Sequence, residues 1–236
     1  MNYLAICQRA ALECGVTNSS DVPSSVSGQT GNLLRIVNWA ADAYTELQTS
    51  QKNWKWLRRK FTFNTVADTS EYAYGSITDV AASGFITRLE RWLLNDPRNP
   101  PKCYLASGSK AAEYFLGWLE WDDFQALYEH GTWGSQPPVH ISVAPDKQIH
   151  LGPPPSAAFT VSGNYQRSPQ VLSGGADVPE MPPEFHMVIV YDTMYKYGNF
   201  ESALEIINRQ KTEGAALRSQ LRADQLPMLR RGAALA

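Results

Sequence analysis

Residues 139–166 read VHISVAPDKQIHLGPPPSAAFTVSGNYQ, and the fold class hangs on how this stretch is parsed. Val139, Ile141 and Val143 alternate with other residues, Ala144-Pro145-Asp146-Lys147 turns the chain, and Ile149 and Leu151 alternate on the return. Period-two patterning on both sides of a Pro-Asp turn predicts an antiparallel meander. Pro153-Pro154-Pro155 breaks the sheet, because proline donates no ladder hydrogen bond. Phe159, Val161 and Tyr165 then predict a third strand.

Upstream the period is mostly helical. Leu4, Cys7, Ala11 and Cys14 place a helix over 2–14, stopped by Gly15. A polar Ser/Gly loop over 17–31 leads to a second helix from about Asn32 to Ser50, with Leu33, Ile36, Val37, Ala40, Tyr44 and Leu47 on one stripe. Trp54-Lys55-Trp56-Leu57 ends the helical phase, and Phe61 and Phe63 open a strand. The β-rich run 85–94, closed by Asn95-Asp96-Pro97, predicts another strand, and Lys102–Leu105 a short one. Residues 110–130 turn helical again, most clearly over Trp121–Tyr128.

Downstream, a Gly/Pro loop over 173–183 precedes a long helical tract from Glu184 to about Asp224, bent or divided at Gly198-Asn199. The expected architecture is α+β: a helical bundle with long C-terminal helices plus a small antiparallel β-sheet or meander. It divides into N-terminal helices (1–57), a β-rich region with one inserted helix (58–170), C-terminal helices (171–225) and an extended tail (226–236), as one composite domain. Strands do not alternate with helices, which argues against a doubly wound parallel sheet.

The 236 residues are 43% hydrophobic and 19% charged, with a net charge of −2. That describes a folded chain with no general electrostatic drive toward nucleic acid or anionic membranes. Seven Trp and 11 Tyr supply large surfaces for a core and for protein contacts. Three cysteines without a CxxC pair suit a reducing compartment, and Cys7 and Cys14, a heptad apart, are expected to be small buried hydrophobes. MNYLAICQRAALECG does not read as a signal peptide, and the apolar run 187–191 is far short of a membrane span. The expectation is synthesis in the cytosol and no membrane partner.

Chemistry is sparse. The histidines are His130, His140, His150 and His186, without HExxH or paired cysteines. His140 and His150 fall on neighbouring strands of the meander, where a two-histidine metal site is geometrically possible, but surface or hydrogen-bonding roles are favoured. Asp122 and Asp123 read as helix-start carboxylates suited to the macrodipole, and Asp192 with Lys196 as a helix-surface pair. Gly108-Ser109-Lys110 fails the P-loop spacing, and neither GxSxG nor GxGxxG occurs. Arg209, Lys211, Arg218, Arg222, Arg230 and Arg231 make the C-terminal stretch basic, yet no aromatics interleave, so a solvated helix face with a docking tail is preferred to a phosphate clamp. No catalytic residue, metal or cofactor is assigned.

The order of segments resembles the head-to-tail adaptor proteins of tailed bacteriophages, the group that includes the tail tubular A and gateway proteins. The likeness runs through Asn38–Leu47, Trp54–Leu57 leading to Phe61 and Phe63, Trp121–Tyr128, Ile149–Pro155, Tyr165–Arg167, and Pro179–Phe185 opening the helix 187–195. It spans roughly Leu4 to Leu221, and no single motif is diagnostic. The proline-rich stretches 97–101 and 153–155 depart from it as possible insertions.

This resemblance implies a non-enzymatic virion protein at the head–tail junction. It implies a ring of its own copies, commonly twelve, joined to the portal protein on one side and to a tail or nozzle protein on the other. Genomic DNA passes through the channel. Transferred to this chain, the portal-docking residues are Leu226, Met228, Leu229, Arg230 and Arg231, and the tail-side contacts Asp146 and Lys147. The competing readings are a nucleic-acid-binding protein using the basic C-terminal helix, a metal-dependent hydrolase at His140 and His150, and another tail component such as a terminator or fibre-attachment subunit.

Overall fold

The structure, a computed structural model, describes residues 1–18, 21–130 and 132–227. In chain order the elements are α1 (Tyr3–Glu13), α2 (Gly31–Thr49), β1 (Arg58–Asn64), β2 (Glu71–Tyr72), β3 (Thr78–Asp79), β4 (Gly84–Phe85), β5 (Arg91–Trp92) and β6 (Lys102–Leu105). There follow β7 (Tyr114–Phe115), β8 (Gly117–Trp118), α3 (Trp121–Tyr128), β9 (His140–Val143), β10 (Ile149–Gly152) and β11 (Phe159–Gln166). The chain continues with α4 (Met187–Glu201), α5 (Leu204–Arg209) and α6 (Ala215–Gln225), with a π turn over Gln210–Gly214 between the last two. These elements sort into two compact units, residues 1–57 with 169–236, and residues 58–168.

The first unit is helical. Asn2 caps α1 by accepting a hydrogen bond from the Ala5 amide. The predicted stripe of α2 is buried at Ile36, Val37, Ala40, Tyr44 and Leu47. Ile36, Val37 and Leu47 each contribute about 1.5–3 kcal/mol on burial. Cys7 and Cys14 are buried in the same core, and burial pushes both thiols up to about 12, which leaves them inert. Trp54 and Trp56 stack at 4.3 Å, and the Trp54 indole N–H donates to the carbonyls of Leu47 and Gln48, so the tryptophan pair seals the end of α2.

The second unit corrects the expected fold class. Instead of a helical bundle with a small meander, the strands among the described residues form a seven-stranded sheet and a four-stranded sheet. The larger sheet runs β4-β3-β1-β11-β6-β7, with β5 also pairing β11, and the smaller runs β2-β10-β9-β8. The hairpin at 140–152 forms as predicted, Ile149 facing Val143 and Leu151 facing Ile141. Phe159–Gln166 is not its third strand: β11 crosses to the larger sheet and pairs along its length with β1, from Arg58↔Gln166 to Asn64↔Thr160. Most remaining strands are two residues long, too short to show a period of two, so the sequence pattern understates the sheet.

Three smaller expectations also shift. Residues 85–94 hold only the end of β4, which pairs with β3, and the two-residue β5, which pairs with β11. Residues 110–120 form a 3₁₀ turn and two short strands, leaving the helix to 121–128. Finally, α4 passes straight through Gly198 and breaks at Ser202, which adopts a left-handed φ of 57°. Gly198 is a point of close packing: a Cβ there would lie 3.0 Å from Ile207 of α5.

The inner faces of the two sheets meet in one core. Phe61, Phe63, Cys103, Phe159, Val161 and Tyr165 from the larger sheet join Tyr72, Ile141, Ile149 and Leu151 from the smaller. On the opposite side of the smaller sheet lies α3, whose Trp121 and Phe124 rings contact His150. The unit is thus layered sheet, sheet, helix, and among its described residues no helix or strand covers the outer face of the larger sheet.

Candidate interaction surfaces

The proposed distal contacts, Asp146 and Lys147, do occupy a hairpin tip, but both are engaged. The Asp146 carboxylate accepts from the Gln148 amide at 3.0 Å and from its side chain at 2.7 Å. Those bonds, the backbone one first, hold the carboxyl below the usual carboxylate range. Lys147 takes a left-handed φ of 69°, its carbonyl accepts from the Trp92 indole at 2.8 Å, and its ammonium reaches the Leu89 carbonyl at 3.4 Å. The tip is a braced turn.

Of the residues expected to dock on a portal, Leu226 follows α6 directly and packs, half-buried, on the helical core. Met228, Leu229, Arg230 and Arg231 lie outside the described residues.

The basic C-terminal helices are largely occupied. Arg209 bridges Glu13 and Glu213. Arg218 pairs with Asp192, which also receives Gln210. Asp192 is therefore no surface partner of Lys196, which reaches Glu46 at 2.6 Å instead. Burial raises the Asp192 carboxyl above its ordinary value, and the Arg218 guanidinium opposes that shift. Lys211 and Arg222 remain exposed.

His140 and His150 point to the same side of the smaller sheet, under α3. The Tyr128 hydroxyl and His140 Nδ1 are 2.6 Å apart, and Trp121 stands edge-on to His150 with ring centroids 4.7 Å apart. Burial holds the His150 imidazole below its usual value. Gly152 makes room for this aromatic layer, since a Cβ there would fall 2.4 Å from the Tyr128 ring. Both imidazoles are built into packing. Among the described residues no group of three or more metal-ligating side chains converges.

The open face of the larger sheet is the surface that sequence reading missed. A groove of about 850 Å³ lies over it, with Lys60, Thr62, Thr160, Ser162 and Asn164 on its floor. Lys102 stands above the Phe115 ring at 5.7 Å, and its ammonium meets Glu113 at 3.0 Å. Arg98 pairs with Asp96 at 3.2 Å. Gly108-Ser109-Lys110, rejected as a phosphate loop, forms a turn in which the Ser109 hydroxyl accepts from the Ala111 amide and Lys110 reaches the groove. Phe115 is 64% exposed at the rim. The available signal was the alternation itself: Lys60, Thr62 and Asn64 in β1, and Thr160, Ser162 and Asn164 in β11, are the polar halves of two paired strands.

A sequence model of the SU10 adaptor protein family matches residues 1–235. No curated protein matches the chain. The chain belongs to the SU10 adaptor protein family, and its role is that of a structural bacteriophage adaptor, a component of the virion that contacts other head or tail proteins.

Proposed function

We propose that this adaptor-family chain forms a ring between the portal and the tail, of the kind made by tail tubular A and gateway proteins, and that the ring conducts the genome. It works by assembly and carries out no turnover. The observation that carries this reading is the family match along the whole chain. Two features support it. The net charge of −2 suits a conduit, because each phosphate neutralised by a wall cation adds affinity and retards sliding. The commitment of Arg209 and Arg218 to internal carboxylates also leaves the C-terminal helices a weaker phosphate clamp than their composition suggests.

The segment after Leu226 docks on the portal, with Met228 and Leu229 providing burial and Arg230 and Arg231 directional pairs with carboxylates. Deleting 228–236 tests this while sparing Leu226, which helps close the helical core. The truncated protein is expected to unfold at the wild-type denaturant midpoint yet fail to co-sediment with purified portal. Normal assembly of the truncation on the portal would refute the docking role. Electron micrographs of wild-type protein on the portal showing no ring would refute the larger reading.

A further inference from the structure

The unit 58–168 carries opposite charge on its two outer layers. One is the cationic groove on the open sheet face, with Lys60, Lys102, Lys110 and Arg98. The other is the outer side of α3, where Asp122, Asp123 and Glu129 are exposed and Leu127, 42% exposed, stands among them. Both sheets and the apolar core lie between these layers. In the groove Lys102 and Arg98 already hold carboxylates, whereas Lys60 and Lys110 make no ion pair among the described residues. Asp122 and Asp123 make none either.

We propose that the groove of one copy receives the outer face of α3 from a second copy, Lys60 and Lys110 meeting Asp122 and Asp123 while Leu127 covers the apolar rim at Phe115. The dimensions agree. An eight-residue helix is about 12 Å long. The groove floor crosses β1, β11, β6 and β7, three strand spacings or about 14 Å. Each partner offers an exposed apolar side chain, Phe115 or Leu127, and charged groups without an ion-pair partner that are opposite in sign to the other's, which steers the encounter and sets its register. Because the two surfaces lie on opposite layers of one unit, the contact is head-to-tail. Such a contact propagates from copy to copy and ends only when rotation closes a ring.

The inference rests on the ring reading above and assigns its surfaces. Duplex DNA is the competing occupant. A conduit wall with this groove left open would hold the strand it must pass, and burial between copies removes that drag.

The test uses full-length protein, whose own cysteines are buried. Lys110→Cys and Asp123→Cys are made separately and together and treated with a short bis-maleimide, both in concentrated solution and on portal-bound protein. An equal mixture of the single variants is expected to give a cross-linked dimer and nothing larger, and the double variant a ladder. A dimer from either single variant alone marks a two-fold contact and overturns the proposal. Absence of cross-links in rings visible on the portal also overturns it and leaves the ring reading standing. If wild-type protein forms no ring, both fall.

Charge reversal supplies the second arm. Lys110→Glu or Asp123→Lys alone is expected to weaken self-association by about tenfold, and the combined swap to recover most of the loss. Salt-sensitive duplex binding that disappears in Lys60→Glu/Lys110→Glu, with self-association unchanged, would assign the groove to nucleic acid instead.

Discussion

Gln48 and Gln170 hold one another by two reciprocal bonds. The Gln170 amide donates to Gln48 Oε1 at 2.8 Å, and Gln48 Nε2 donates to the Gln170 carbonyl at 2.9 Å. The two residues are 122 positions apart, and the whole unit 58–168 is inserted in the chain between them. The clamp extends through Tyr44, whose hydroxyl donates to Gln170 Oε1 and accepts from the Glu180 amide. An amide side chain, donor and acceptor at once, is what a backbone segment with both groups to satisfy requires.

Gln48→Leu removes both bonds and strands the Gln170 amide and carbonyl in a half-buried place. The expected loss is about 2–3 kcal/mol of unfolding free energy in urea. A loss below about 0.5 kcal/mol would mean that solvent or another group already serves Gln170.

Arg218→Ala is expected to act as a stability variant. Asp192 is 10% exposed on its side chain, and removing the guanidinium leaves it without its charge partner, for a cost of about 2–4 kcal/mol. Asp192→Leu/Arg218→Met should recover much of that loss. If Arg218→Ala instead weakens duplex binding and leaves the denaturation curve in place, the nucleic-acid reading of these helices revives.

Gly152→Ala places a methyl group where the Tyr128 ring lies, 2.4 Å from its nearest carbon. Overpacking of this kind costs about 1–3 kcal/mol. Loss of near-ultraviolet circular dichroism from the Trp121, Phe124 and Tyr128 layer should accompany it. On a Tyr128→Ala background the clash is gone and Gly152→Ala should cost less than in the wild type; an equal cost on both backgrounds would show that the strain lies elsewhere.

Burial holds His150 and His186 below the ordinary imidazole value of 6.5, against the pull of Glu71, Asp146 and Glu129 at His150. At His186 the Met181 carbonyl, bonded to Nε2, opposes the same burial. Below 6.5 the unfolded chain therefore binds protons at these positions that the native chain refuses. The stabilisation is complete above 6.5 and is lost as pH falls toward the depressed native values. The urea midpoint should drop between about pH 7.5 and about pH 5.5. His150→Gln and His186→Gln should each flatten that slope, and an unchanged slope in the double variant would assign the proton uptake to other groups.

The N-terminal helices were well marked along the chain because their signals are local. The stripe of α2, the stop at Gly15 and the tryptophan pair at 54–56 act within a turn or two of themselves, and the hairpin at 140–152 needs only a turn and two alternating runs. The larger sheet has no such local mark. Its central strand β11 pairs with β1 across about a hundred residues. β3, β5 and β7 exist as strands only because β1, β11 or β6 already stand beside them, and β4 only because β3 does. The candidate surfaces divide the same way. Asp122 and Asp123 were recognisable as helix-start carboxylates, and they occupy the first turn of α3.

What the sequence alone determined is therefore the helices α1, α2 and α3, the helical character of the C-terminal tract, the hairpin, the burial of Cys7 and Cys14 and, through the order of its segments, kinship with phage adaptors. Only the tertiary structure decided that the strands gather into two sheets and that Arg218 belongs to Asp192. It also decided that Lys60, Lys102 and Lys110, brought from β1, β6 and a turn, share one groove. Periodicity reports which face of an element is apolar. Pairing between distant strands is chosen by the free energy of the assembled core, which no window of neighbouring residues contains.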